Sequence, residues 1–381
     1  MIKAIKASLA VTRRQVKSSL AVTRRQTNDA ANLAPVVVTG SSGYIGSFVV
    51  AELLSRGYIV HAPVRGSSTN PNKIAHLQAL PNSENLKIFD GGDLTLAGSF
   101  DSAMNGAGAV IHTAAEVVLG KSQSIITASV EGTNNVLKSV DKAGINRFVQ
   151  TSSVAAIQKY NVPPNHIFTE NDWNDWSSVE KGDAYGVAKT QAEQIVHAHF
   201  ADDEDRSSIA VNPGVVIGPV LSKAHTKASA IFLRDCIYGN KVMNFPCTFV
   251  DVRDVAIGHV NALEKLPEFK GRRFVLVNDE KCMPQGGVEL GPVAARLFPG
   301  HKFDVKPQYP ESVMKILRPL SRIPLLGGHI MDEYQRVAQS TPIQFSNKAA
   351  REELGVDFRS LDVTVKEGIE SIVDQGFAKL K

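Results

Sequence analysis

"PVVVTGSSGYIGSFVVAELLSRGYIVHAPVRGS", residues 35–67, decides the fold. Residues 36–39 are a short apolar run of strand length, and Gly40, Gly43 and Gly46 then punctuate a turn. Phe48, Val49, Leu53 and Leu54 recur at helical spacing, and "YIVHAPV" follows as a second strand. Strand, glycine turn and helix in that order carry a specific physical meaning. One glycine permits the turn, a second lets backbone N–H groups approach a pyrophosphate, and a third lets the helix pack closely on the strand with its positive dipole end toward the phosphates. The second strand ends in Arg65, with no Asp or Glu where an NAD enzyme would hold the ribose hydroxyls. A guanidinium there suits a 2'-phosphate and favours NADP(H), with Lys73 as a second phosphate partner. The alternative for Arg65 is a solvated surface arginine.

Outward from this unit the alternation continues. "NLKIFDGGDL" gives a third strand with Asp93 after it, and "GAVIHTAAEVV" a fourth ending at Thr113, Ala114 and Ala115. "INRFVQTSSVAA" is a fifth, closing on Thr151, Ser152 and Ser153. Helical patterns at 97–105, 124–142 and 184–199 separate them. The expected class is α/β, a doubly wound parallel Rossmann sheet with ligands beyond the C-terminal ends of its strands and a smaller C-terminal substrate-binding lobe. The expected division is a basic extension at 1–34, a nucleotide-binding domain at 35–211, and mainly the lobe at 212–381, with segments returning to the first domain.

"GDAYGVAKTQAEQIVHAHF", residues 182–200, places a tyrosine and a lysine four positions apart near a helix start. Tyr185, Ala188, Ala192, Ile195 and Val196 share one stripe, with Thr190, Gln194 and His197 opposite. Lys189 lies on the apolar side, either snorkelling at its edge or held there for chemistry. A Tyr-x-x-x-Lys pair alone does not decide between these.

Eight motifs in order do decide. "VTGSSGYIG", "GDL", "VIHTAA", "VEGTNNVL", "TSS", "YGVAK", "NPGVVIGP" and "FVDVRDVA", spread over roughly 35–265, resemble the extended short-chain dehydrogenase/reductases. "APVRGS" and "TENDWND" point to the branch of dihydroflavonol reductase and cinnamoyl-CoA reductase-like carbonyl reductases, and residues 345–376 are similar to that group's closing helices. The resemblance implies a catalytic set of Ser153, Tyr185 and Lys189. It also implies a cofactor site lined by Gly40, Gly43, Tyr44, Ile45, Gly46, Arg65, Asp93, Leu94, Thr113, Ala114, Ala115, Pro213, Tyr185 and Lys189. In those roles Tyr185 is the general acid for a carbonyl oxygen and needs tuning from a phenol's ordinary pKa of about 10. Lys189, one turn on, supplies positive charge that favours the phenolate and holds the nicotinamide ribose. Ser153 orients the substrate oxygen. One departure is Ser129, which stands where many relatives have asparagine, so no asparagine proton relay is carried over.

Composition bounds the alternatives. The 381 residues are 43% hydrophobic, enough for one large α/β core or two smaller ones, and no apolar run of transmembrane length occurs. Cys236, Cys247 and Cys282 are widely separated, which argues against a disulfide framework or a zinc site; no metal is expected. Residues 1–28 carry seven Lys or Arg and no acid, so of 42 basic residues 35 remain against 38 acidic ones, and the globular part has no nucleic-acid signature. "KASLAVTRRQ" at 6–15 returns as "KSSLAVTRRQ" at 17–26, matching either an organellar transit sequence or a duplicated tail. The expected location is the cytoplasm, or a mitochondrion or plastid if that segment targets. The reading is an NADPH-dependent reductase of a small aldehyde or ketone, monomeric or homodimeric. A hydroxysteroid dehydrogenase relative, a nucleotide-sugar epimerase or dehydratase, and a non-catalytic NADP-sensing protein are the competing readings. Phe232, Phe245, Phe249, Leu317, Ile323, Trp173 and Trp176 either build an apolar substrate pocket or form the small lobe's core, and Arg318 and Arg322 either pair an anionic substrate or are solvated. "MKILRPLSRIPLLGGHI", 314–330, is too short and basic to span a membrane, but could rest on one or line a pocket.

Overall fold

The computed structural model describes residues 34–115, 123–242, 245–278, 282–308, 311–320 and 343–380. The N-terminal repeat, Arg322, Ile323 and the side chains of Leu317 and Arg318 lie outside the described residues, as does most of 314–330. The chain builds one seven-stranded sheet. Its strands are β1 (Val36–Thr39), β2 (Val60–Val64), β3 (Leu86–Asp90), β4 (Ala109–His112), β5 (Arg147–Thr151), β6 (Ser207–Pro213) and β7 (Arg273–Leu276). They lie in the order β7-β6-β5-β4-β1-β2-β3 with every pairing parallel. Strands covered on both faces are shielded from solvent, and β1, β2, β4, β6 and β7 are buried at every residue, the polar ones such as Asn212 and Arg273 included.

Two helix pairs cover the faces. On one side α1 (Tyr44–Ser55) packs with α4 (Val252–Glu264), and Val49, Leu53, Val255 and Val260 are all sealed from solvent. On the other, α2 (Gln123–Ala143) packs against α3 (Ala184–Ala201) around Val136, Val140, Phe148, Val196 and Phe200. Strand order reverses between β1 and β4, which opens a crevice at their C-terminal ends. β6 runs through position 211, and α4 and β7 are later segments that join the main sheet. The remaining C-terminal chain forms short parallel strand pairs, Val215–Ile217 with Phe249–Asp251 and Lys241–Val242 with Lys306–Pro307, closed by α5 (Leu361–Asp374).

Two local expectations change, and one open alternative is narrowed. The helical pattern at 97–105 is helical only over Asp101–Met104. Gly98 takes a left-handed conformation at φ 77°, and Ser99 is used as a brace, its carbonyl accepting from Gly92 N at 3.0 Å and its hydroxyl from Asp93 N at 2.7 Å. Thr190, expected on the open side of its helix, is buried and donates to the Gly186 carbonyl at 2.8 Å. The aromatic set belongs largely to packing: Phe232 meets Phe249 edge-on at 5.8 Å, Trp176 meets Tyr160 at 4.9 Å, and Phe245 packs against the main core. Among the described residues no helix is long and apolar enough to cross a membrane, and no cluster of His, Cys, Asp or Glu could hold a metal.

Candidate active site

The crevice is lined first by the glycine turn. Gly40 sits at φ 68°, and a Cβ there would lie 2.8 Å from the backbone of Ala114. β4 delivers Thr113 and Ala114 to this contact: Thr113 donates to the Thr39 carbonyl at 2.7 Å, and Ala114 N to the Thr39 hydroxyl at 3.3 Å. A Cβ on Gly46 would lie 2.2 Å from the Gly40 carbonyl oxygen, so only hydrogen fits. α1 therefore starts against β1 with no capping side chain and no acid in its first turn. Its free N–H groups and dipole suit a pyrophosphate, so the residues present fit a dinucleotide. Tyr44 beside them is buried with its hydroxyl unpartnered, and burial, then Asp251, pushes its pKa well above the ordinary value.

At the outer edge of the crevice Arg65 is exposed and its guanidinium reaches Asp93 at 3.2 Å. Asp93 also accepts from Thr95 N at 3.0 Å and Thr95 Oγ1 at 2.7 Å, and these bonds, followed by Arg65, hold its carboxyl below the usual range. Lys73 Nζ donates to the Arg65 carbonyl at 2.7 Å, which ties it to the loop after β2. Asp90, which the sequence did not single out, anchors the same loop by accepting from Gly66 N at 2.8 Å and from Ser68 N and Oγ.

Beyond the ends of β5 and β6 stand the three candidate catalytic side chains. Ser153 caps the turn Val154–Ala156, its Oγ accepting from Ala155 N at 3.1 Å. That turn packs against α3. Asp183 caps α3 by accepting from Gly186 N at 2.9 Å, which puts Tyr185 in the helix's first turn, half-buried. Lys189 is 8% exposed, and its ammonium lies 5.9 Å from the centroid of the Tyr185 ring. A cavity of about 20 Å³ beside Lys189 is lined also by Leu94, Ala115, Ser129 and Gln150. Ser129 itself donates to the Ala188 carbonyl at 3.4 Å. A wider hollow of about 490 Å³ near the far end of α3, at His197, Ala201 and Lys270, holds none of the candidate residues. Pro213 ends β6, paired with Leu276. The sequence reading also missed Glu193, which is fully buried on α3 and ion-paired with Arg273 of β7. Its only signal was an acid one turn beyond Lys189, at the edge of the apolar stripe.

Residues 36–276 match the NAD dependent epimerase/dehydratase family. The chain belongs to this family. It is 31% identical over 360 residues to the cinnamoyl-CoA reductase CAD2 of Medicago truncatula, covering 92% of this chain and 99% of that one. It is 36% identical over 195 residues to the dihydroflavonol 4-reductase of Arabidopsis thaliana, about half of each chain. Among solved structures, Gre2 of Candida albicans in complex with NADPH has the same fold, with a TM-score of 0.69 at 24% identity over 89% of this chain and 98% of that one. Within the family the chain is thus an extended short-chain dehydrogenase/reductase whose relatives are dihydroflavonol and cinnamoyl-CoA reductases.

Proposed function

We propose that this chain is an NADP(H)-dependent oxidoreductase that reduces an uncharged aldehyde or ketone to the alcohol, with Tyr185 as general acid. The observation that carries the reading is the packing of the turn capped by Ser153 against α3, on whose first turns Lys189 lies 5.9 Å from the centroid of the Tyr185 ring. The related reductases support it. When bound, NADPH supplies a hydride from nicotinamide C4. The residues do the rest. The Ser153 Oγ already accepts from Ala155 N, which leaves its own hydrogen free to donate to the substrate oxygen and fix the carbonyl's direction. As the carbonyl carbon gains the hydride, negative charge grows on that oxygen and the Tyr185 hydroxyl gives it a proton. Lys189, held nearly out of water beside the ring, stabilises the phenolate left behind, because a charge in a dry setting acts over a low effective dielectric. The products are the alcohol and NADP+, and one solvent proton restores the phenol. The turn of Gly40, Gly43 and Gly46 would hold the pyrophosphate, and Arg65 with Lys73 would hold the 2'-phosphate.

The test is NADPH oxidation with a panel of aromatic aldehydes, small diketones, dihydroflavonols, hydroxysteroids and nucleotide sugars. Tyr185→Phe lowers kcat on the accepted carbonyl by about 10²- to 10⁴-fold with NADPH affinity kept. Unchanged turnover in that variant places the acid elsewhere. Conversion of nucleotide sugars alone, without net cofactor use, replaces the reductase reading with an epimerase.

A further inference from the structure

Glu193 and Arg273 form an ion pair whose side chains are 0% and 5% exposed. A pair this deep is a poor device for stability, since desolvating both charges offsets most of their attraction. Its connections indicate another use. Ser152 donates its hydroxyl to Glu193 Oε2, and Asn212 Nδ2 donates to the same oxygen at 2.8 Å. The same Asn212 nitrogen donates to the Ser153 carbonyl at 3.1 Å. Arg273, on the other oxygen, reaches past Glu193 to the Ala156 carbonyl at 3.3 Å and the Glu170 carbonyl at 2.9 Å, with its guanidinium 3.7 Å from the centroid of the Trp173 ring.

A second tether binds the two segments near the helix start. Asn174 Nδ2 donates to the Ala155 carbonyl at 2.8 Å and to Ser177 Oγ at 2.8 Å, and Ser177 in turn donates to Asp183, the cap of α3. Asp183 and Glu193 are ten residues apart, about 15 Å along the helix. Tyr185 and Lys189 lie between them. Both tethers end on residues 152–156, the segment that carries Ser153. Two anchors on one helix, both tied to one short segment, fix the helix's slide and its rotation against that segment.

Building on the proposed roles of Ser153 and Tyr185, we infer that Glu193, with Arg273 and Asn212, is a positioning group that sets the register between the substrate-orienting serine and the tyrosine acid. It touches neither substrate nor cofactor. Its effect is therefore on the chemical step, where a displacement of about 1 Å costs about a hundredfold in rate, and much less on cofactor binding.

The experiment compares full-length Glu193→Gln, Asn212→Ala, Tyr185→Phe and Phe100→Leu. Phe100→Leu is a packing control in the sealed cluster beneath α2. Substrates are benzaldehyde or 2,3-butanedione with NADPH, whichever turns over faster. Readouts are kcat, KM, NADPH Kd by fluorescence, and Tm. Glu193→Gln and Asn212→Ala are expected to lower kcat at least tenfold with NADPH Kd within threefold of the parent, while Phe100→Leu lowers Tm and keeps kcat within twofold. If Glu193→Gln does not fold, Asn212→Ala decides alone, because it cuts the link to Ser153 and leaves the ion pair whole. Should Asn212→Ala keep kcat within twofold while Tyr185→Phe abolishes turnover, the positioning inference fails and the proposed function stands. A Phe100→Leu loss of kcat equal to theirs overturns it too, by reducing the effect to general destabilisation. If Tyr185→Phe keeps full turnover, the acid assignment fails and the inference fails with it.

Discussion

Acidification between pH 6.5 and 5.5 should remove about 3 kcal/mol of folding free energy, through histidines that the fold holds neutral. His112, His225 and His259 are 4%, 1% and 0% exposed. Burial lowers their pKa values from 6.5 to about 3, about 4 and about 4, with Lys189 adding to the effect on His112 and His76 to that on His225. His259 shows why no proton fits. Its Nδ1–H donates to the Val255 carbonyl at 2.7 Å and its Nε2 faces Thr151 Oγ1 at 2.7 Å, in a fully buried setting where an imidazolium would be desolvated. Because the folded pKa values are depressed, the unfolded chain binds more protons below pH 6.5, and stability falls with pH through the window from 6.5 down to about 4. One unit is worth about 1.36 kcal/mol. From pH 6.5 to 5.5 an unfolded imidazole goes from about half to about nine-tenths protonated, which costs about 1 kcal/mol for each of the three. His61, His76 and His197 are shifted in the same direction and add to the slope. Asp93, Asp101 and Asp362, held below their usual range, act only nearer pH 4. Urea unfolding at pH 6.5, 6.0 and 5.5 measures the slope, and His259→Gln should lower it by about 1 kcal/mol over the same window whatever it does to absolute stability. A parent change under 1 kcal/mol, or a His259→Gln slope equal to the parent's at unchanged m-value, refutes the reasoning.

The sheet and the cradle were legible because their physics is local. Three glycines between an apolar strand and a helix have a local meaning, and β1 and β4 are short apolar runs; β6 and β7, which carry Ser207, Ser208, Asn212 and Arg273, were not among the five strands expected. The three catalytic candidates came from motif order, with Tyr185 and Lys189 joined by helical spacing. Glu193 was not legible, because its reason for being buried lies in Arg273, eighty residues away, in Ser152 just past β5 and in Asn212 on β6. Thr190 was misplaced for a related cause. Helical periodicity finds one apolar face, but α3 is covered on more than one side, so the Thr190 hydroxyl is satisfied by the Gly186 carbonyl within the helix. The stretch at 97–105 failed differently: its pattern is helical, yet Ser99 is engaged in bracing the loop that carries Asp93, and that tertiary demand outweighs local propensity. The aromatic residues 232, 245 and 249 show the limit of composition, since nothing in the sequence separates a pocket wall from a lobe core.

Arg65→Ala should raise the KM for NADPH at least tenfold and leave NADH kinetics within twofold; equal effects on both cofactors would remove Arg65 from 2'-phosphate recognition. Since Arg65 is exposed, that NADPH preference should also weaken from 50 to 300 mM salt, measured as the ratio of the two kcat/KM values. Gly46→Ala is the most demanding probe of the cradle. Its Cβ would lie 2.2 Å from Gly40 O and 2.7 Å from Thr113 Oγ1. Neither atom can retreat: Gly40 O accepts from Gly43 N at 2.8 Å, and Thr113 is bonded to the Thr39 carbonyl. The helix must therefore lift from β1, at a cost of about 1–3 kcal/mol, and its N-terminal N–H groups leave the pyrophosphate. Gly43→Ala serves as the graded comparison, because its Cβ would sit 3.0 Å from the same oxygen and needs a shift of only tenths of an ångström. NADPH titration and thermal melts should therefore rank Gly46→Ala well below Gly43→Ala, with more than a tenfold loss of affinity for the former. Parent-like NADPH binding by Gly46→Ala would mean that the turn yields and that close helix–strand approach is not what forms the cofactor site.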